Sequence, residues 1–176
     1  MKKLLIPALS CAAVLALFSP SAPLRAADEN GKEPALSETD QKYLQGVVSE
    51  NLGEIAMSYL AIEKSASNDV KSYALDVIDT HTKTMKQVLE IASRHNCFLA
   101  LDPDLSAYNN LVKTGGSEFD KAYLSETQRI NQEATSKLEP LVGQIKADDV
   151  KSFAQDDLNE DKEHIKKAQD LAGKLK

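Results

Sequence analysis

Apolar residues recur at intervals of three and four along four stretches of the chain, the spacing that lines one face of an α-helix. The first stretch is Leu44, Val48, Leu52, Ile55, Tyr59 and Ile62. Ser37-Glu38-Thr39-Asp40 precedes it and resembles a capping box with Asp in place of Glu. A helix should therefore start near Ser37 and end near Ala66. The second stripe is Val70, Ala74, Val77, His81, Met85, Val88 and Ala92, capped by Ser67 or Asn68 and ending near His95-Asn96. The third follows a break at Gly115-Gly116 and runs Phe119, Tyr123, Thr127, Ile130, Ala134, Leu138, Leu141 and Ile145. Pro140 lies inside it and should kink the helix or end it early. A tight turn at Ala147-Asp148-Asp149 leads into a fourth helix running to about Lys174. Strands are not expected, because period-two alternation and hairpin turn pairs are missing.

Two segments return 80 residues later. Asp69-Val70-Lys71-Ser72-Tyr73-Ala74-Leu75-Asp76 recurs as Asp149-Val150-Lys151-Ser152-Phe153-Ala154-Gln155-Asp156. Asp40-Gln41-Lys42-Tyr43-Leu44 recurs as Asp120-Lys121-Ala122-Tyr123-Leu124. Two ungapped matches at one offset imply a duplicated helical hairpin. The link between the hairpins, Cys97 to Gly116, is the longest connection, with a short helix expected over Asp104–Lys113. Helices of about 27 residues are roughly 40 Å long. About 20 linking residues can reach back along that length. The fold predicted is all-α, a ferritin-like four-helix bundle of two duplicated hairpins with a long crossover between its second and third helices.

Residues 1–26 read as an export signal. Lys2 and Lys3 form a basic start, Leu4 to Phe18 an apolar run, and Ser19 to Ala26 a region of small or turn-forming residues. The run is short for a bilayer span and ends in a cleavable region. Residues 27–36 are then a linker and 37–176 one bundle domain. The product is expected to be periplasmic or secreted, with no integral membrane segment after processing. The whole chain has 21 basic and 27 acidic side chains. The signal holds three of the basic ones, Lys2, Lys3 and Arg25, and no acid, so the mature balance is 18 against 27. Such a surface repels nucleic acid, so that partner class is excluded. A second copy of the chain or another protein is left as the partner class. Cys11 leaves with the signal, so Cys97 cannot form an internal disulfide and should be a small buried thiol.

Candidate chemistry gathers at mid-helix. Glu54 and His81 lie equally far from the first tight turn, so antiparallel packing puts them at one level. Shifting each by 80 gives Ala134 and Asp161, and His164 lies one turn beyond Asp161. Glu54, His81, Asp161 and His164 could then share one layer and ligate iron, manganese or zinc. The third helix offers Ala134 where a carboxylate would be needed, with Glu126 or Glu133 nearby. The alternative is a satisfied core cluster in which His81 hydrogen-bonds Asp161 or Glu54. No nucleophile motif or phosphate-binding glycine loop is present, so no catalytic residue and no organic cofactor is assigned. His95 should be an exposed partner of a helix C-terminus. The reading is a non-enzymatic interaction or stress-related module, with a ferritin-like protein carrying a degenerate metal site as the alternative.

Residues 38–173 resemble a family of exported bacterial proteins, family 4142 of the domains of unknown function. Glu54-Ile55, Val70-Lys71-x-Tyr73-Ala74, His81-Thr82 and Phe119-Asp120-x-Ala122-Tyr123 carry the resemblance, with His164 and Ala168 on the last helix. The resemblance implies a ferritin-like fold and no defined activity. Such proteins usually carry an Asp-His pair on the second helix, where this chain has Thr80-His81, and a second pair on the third, where it has Ile130-Asn131. The departures imply a reduced metal-binding capacity. Members are often labelled outer membrane proteins, but the chain has no amphipathic barrel strands.

Overall fold

The first helix, α1 (Glu38–Lys64), begins at the expected capping box in the computed structural model, which describes residues 33–175. The Ser37 hydroxyl accepts the Asp40 N–H and Asp40 accepts the Ser37 N–H, both at 3.2 Å. The expected signal over 1–26 lies outside the described residues. Ser67 caps α2 (Asn68–Arg94) by accepting the Val70 N–H. The short helix of the link, α3 (Ser106–Leu111), is narrower than expected. α4 (Ser117–Leu141) tolerates Pro140 in its last turn and stops one residue later. α5 is Asp148–Ala172. Among the described residues there are five helices and no strand, so the all-helical expectation is met.

α1 packs along α2 and α4 along α5, and the two hairpins meet through α1 on α4 and α2 on α5. The link from α2 to α4 is laid along α1. Gln45 brackets Ala100 with two side-chain hydrogen bonds, Asp104 N–H donates to the Ser49 carbonyl, and Lys64 donates to the carbonyls of Val112 and Thr114. Gly53 makes this possible, since a Cβ there would collide with the Asp104 carbonyl. With α2, α4 and the link all against it, α1 buries a wide arc that no single apolar stripe marks. Its inner positions include Val47, Asn51, Glu54, Ser58 and Ala61, whereas Tyr59 of the expected stripe is 60% exposed.

The core falls into two apolar clusters. One holds Leu44, Val48, Val88, Val150 and Phe153. The other holds Met57, Val77, Phe119, Tyr123 and Leu124. On each long helix the buried side chains between these clusters are polar: Asn51 and Glu54 on α1, His81 and Thr84 on α2, Thr127 and Asn131 on α4, Asp161 and His164 on α5.

Candidate functional site

Each long helix gives the polar layer its side chains at steps of three or four residues, the spacing that keeps them on the inner face. Glu54 is the hub. Its Oε1 lies 3.6 Å from His81 Nε2, and its Oε2 accepts from Asn131 Nδ2 at 3.0 Å. His81 Nδ1 lies 3.8 Å from Glu160, whose carboxylate accepts from the Thr84 hydroxyl at 3.1 Å. Both distances from His81 are ion-pair contacts that fall short of hydrogen bonds, and both ring nitrogens lack a hydrogen-bond partner. The His164 ring meets His81 edge to face, 5.1 Å between centres. His164 Nδ1 and Asp161 Oδ2 are also buried without partners. An unpaired buried polar group costs about 1–3 kcal/mol, so this layer is strained electrostatically compared with a closed network.

The charges explain why. Burial opposes a charged His81, but Glu54, Glu160 and Asp157 outweigh it and hold the imidazole above its ordinary range. Burial, helped by Asp157, Glu54, Glu50 and Glu160, pushes the Asp161 carboxyl up to about 9. Burial also lifts Asp157 to about 6, against the hydrogen bond it accepts from the Tyr43 hydroxyl at 2.8 Å. Burial and the neighbouring His81 charge depress His164 to about 4. At neutral pH the layer therefore holds a neutral His164 and a protonated Asp161, beside a His81 whose acidic neighbours favour its charged form.

The structure brings together Glu54 and His81, and puts His164 against His81. Asp161 is buried in the same layer but is not an ion-pair partner of His81, and the expected hydrogen bond from His81 to Asp161 or Glu54 is not formed. Ala134 does not enter the layer. It lines a groove at the surface, and Asn131 is the α4 residue that reaches Glu54. Periodicity passes over Asn131, to which the family resemblance points through Ile130-Asn131, and nothing in the sequence reading singles out Asp157 or Glu160. Among the described residues, no three His, Cys, Asp or Glu side chains are gathered to hold a metal ion as they stand. His95 is a further correction. It is 7% exposed, with Nδ1 at 2.6 Å from the Pro34 carbonyl and Nε2 at 3.0 Å from Asp149. Cys97 is only partly buried.

A family model described as Domain of unknown function (DUF4142) matches residues 25–171. No match was found among curated proteins. Among solved structures, the DUF305 fragment from Deinococcus radiodurans superposes with a TM-score of 0.73 at 16% identity, over 81% of this chain and all of that one. CopM in its Cu(I)-bound form gives 0.66 at 17% identity, over 78% of this chain and 98% of that one. Its Cu(II)-bound form gives 0.64 at 16% identity, with the same coverage. At these identities the likeness shows a shared helical fold. Among the described residues no helix is long and apolar enough to cross a membrane.

Proposed function

The chain belongs to the DUF4142 family, and we propose that it is an exported, non-enzymatic, ferritin-like bundle whose polar middle layer binds one metal ion. The observation that carries this reading is the set of unpartnered buried donors: both nitrogens of His81, Nδ1 of His164 and Oδ2 of Asp161. A cation would relieve the crowded carboxylates and pair the orphaned nitrogens in one step. Glu54, His81 and His164 are the first ligands assigned, with Asp161 as the fourth. Because these groups do not already converge, binding requires side-chain rotation, and a ligating Asp161 must release its proton. Imidazole and carboxylate donors suit zinc, iron, manganese or copper. Copper joins the candidates because the fold neighbour CopM has Cu(I)- and Cu(II)-bound forms. Export is supported by the signal-like pattern over residues 1–26. Duplication is supported by helix starts that nearly repeat at the offset of the sequence repeat, residues 38 and 68 against 117 and 148.

Metal analysis of protein purified from the periplasm, followed by calorimetric titration with zinc, copper, manganese and iron(II), tests the reading. One equivalent should bind to the wild type and be lost in the His81→Gln/His164→Gln double variant. Uptake by neither protein, or equal uptake by both, contradicts it.

A protein-interaction module is the second reading. The link over α1 exposes the apolar side chains Phe98, Leu101, Leu105 and Val112, which would serve a partner surface if they form one patch. Sedimentation of the wild type and of Phe98→Ser/Leu101→Ser tests self-association. A monomer in both cases excludes a second copy as the partner.

A further inference from the structure

Ala134, absent from the polar layer, leads to a separate feature. A cavity of about 310 Å³ opens between α1 and α4. Ligand sites of bundles lie between helices, start at roughly this volume and combine apolar walls with a few polar groups. Val47, Leu138 and Leu141 provide the apolar wall here, and Tyr43 and Asp157 lie at the acidic side. Gly46 of α1 also borders the cavity, and a Cβ built on it meets nothing within 4 Å. A glycine inside a helix costs about 0.5–1 kcal/mol against alanine. At Gly53 a close backbone contact accounts for the residue; at Gly46, on the cavity's border, a Cβ would enter open space.

The charges around the cavity are unevenly satisfied. Lys42 pairs with Glu38 at 2.6 Å, and Lys137 with Glu50 at 3.6 Å, so both basic groups of the lining already have an acid. Asp157 receives only the neutral Tyr43 hydroxyl as a hydrogen-bond donor from the lining. A carboxylate ligand would meet Asp157 and Glu50 and be repelled. An ammonium group would complete Asp157 while its hydrocarbon filled the space left by Gly46.

We propose that the cavity between α1 and α4 binds a small organic amine, its ammonium at Asp157 and its apolar body along Val47, Leu138 and Leu141. None of the four ligands of the metal reading, Glu54, His81, Asp161 and His164, lines this cavity, although Asp157 belongs to both the cavity and the polar layer. The test is a titration of the mature protein with n-hexylamine, 1-hexanol and hexanoate, followed by NMR shifts of cavity residues. Hexylamine should bind saturably and at least tenfold more tightly than hexanol, with hexanoate weakest. Gly46→Leu should abolish binding while its circular dichroism and melting stay those of a folded bundle. Asp157→Asn should remove the preference for the amine and leave hexanol binding in place. Binding of none of the three probes, equal binding of all three, or unchanged amine binding in Gly46→Leu would overturn the proposal.

Discussion

At the ends of the bundle the core is closed mainly by hydrocarbon: Leu44, Val48 and Val88 at one end, Met57, Val77 and Leu124 at the other. Where a charge is buried at the first end it is tied down. Asp40 accepts the N–H groups of Lys146 and Ala147 and so fastens the start of α1 to the turn before α5. The middle is equally buried but differently served. Glu54, His81, Asp161 and His164 are each less than 9% exposed, yet atoms of three of them lack a hydrogen-bond partner. The contrast separates two duties. The apolar ends carry most of the packing, with Asp120 Oδ1 the unpartnered buried atom at the second end, and the middle gathers most of the unpartnered polar atoms.

The largest expected effect lies at the ends. Leu44 is fully buried, and Leu44→Ala should lose about 2–5 kcal/mol in denaturant melts, by the same amount at pH 5 and pH 8. A loss that varied with pH would couple this end to the middle and blur the comparison.

Next comes Asp161. Its folded value of about 9 stands above that of an unfolded aspartate, near 4. Between those values the folded state holds a proton that the unfolded state has released, so stability falls as pH rises through the window. Asp161→Asn removes that slope. It should stabilise the protein by roughly 1–3 kcal/mol at pH 8 and by almost nothing near pH 4. Destabilisation at pH 8 would mean that the middle layer is satisfied after all.

His81→Ala should lose roughly 1–3 kcal/mol, since it leaves Glu54 without the imidazole it faces and opens a void. His95→Ala should lose a similar amount, because the ring bridges Pro34 and Asp149. Paired melts that found His95→Ala harmless would return that ring to the surface. The smallest effect is at Gly46. Gly46→Ala should gain about 0.5–1 kcal/mol, since the added methyl group meets no neighbour.

Much of the architecture was legible because it depends on local signals. The stripe on α2 runs through His81 without a break in phase, and Ser37 and Ser67 cap the helices they precede. The opposition of Glu54 and His81 followed from their equal distance to one tight turn. Asn131 was harder to read. The expected α4 stripe passed through Ile130 and Ala134, whereas the inner line at mid-helix is Tyr123, Thr127 and Asn131. The two lines agree as far as Thr127; there the apolar Ile130 draws the stripe to itself and away from the polar Asn131 beside it. Glu160 was missed for a similar reason, since it adjoins Asp161 and reaches His81 from beside the inner line. His95 was misjudged because a helix end is usually exposed. Here the segment before α1 folds over it: the Glu33 N–H donates to the Arg94 carbonyl and Leu36 is buried. That contact joins residues far apart in the chain, and no local pattern announces it.

On the proposed reading the middle layer takes up a cation. Thermal unfolding of the protein, with and without one equivalent of zinc or copper(II) at pH 7.5, tests this. A ligand that binds only the folded state raises stability by about 2.7 kcal/mol when present at a hundred times its dissociation constant. The account predicts a clear rise in melting temperature for the wild type and none for His81→Gln/His164→Gln. An unchanged wild-type melt with both metals, or an equal rise in the double variant, would contradict it.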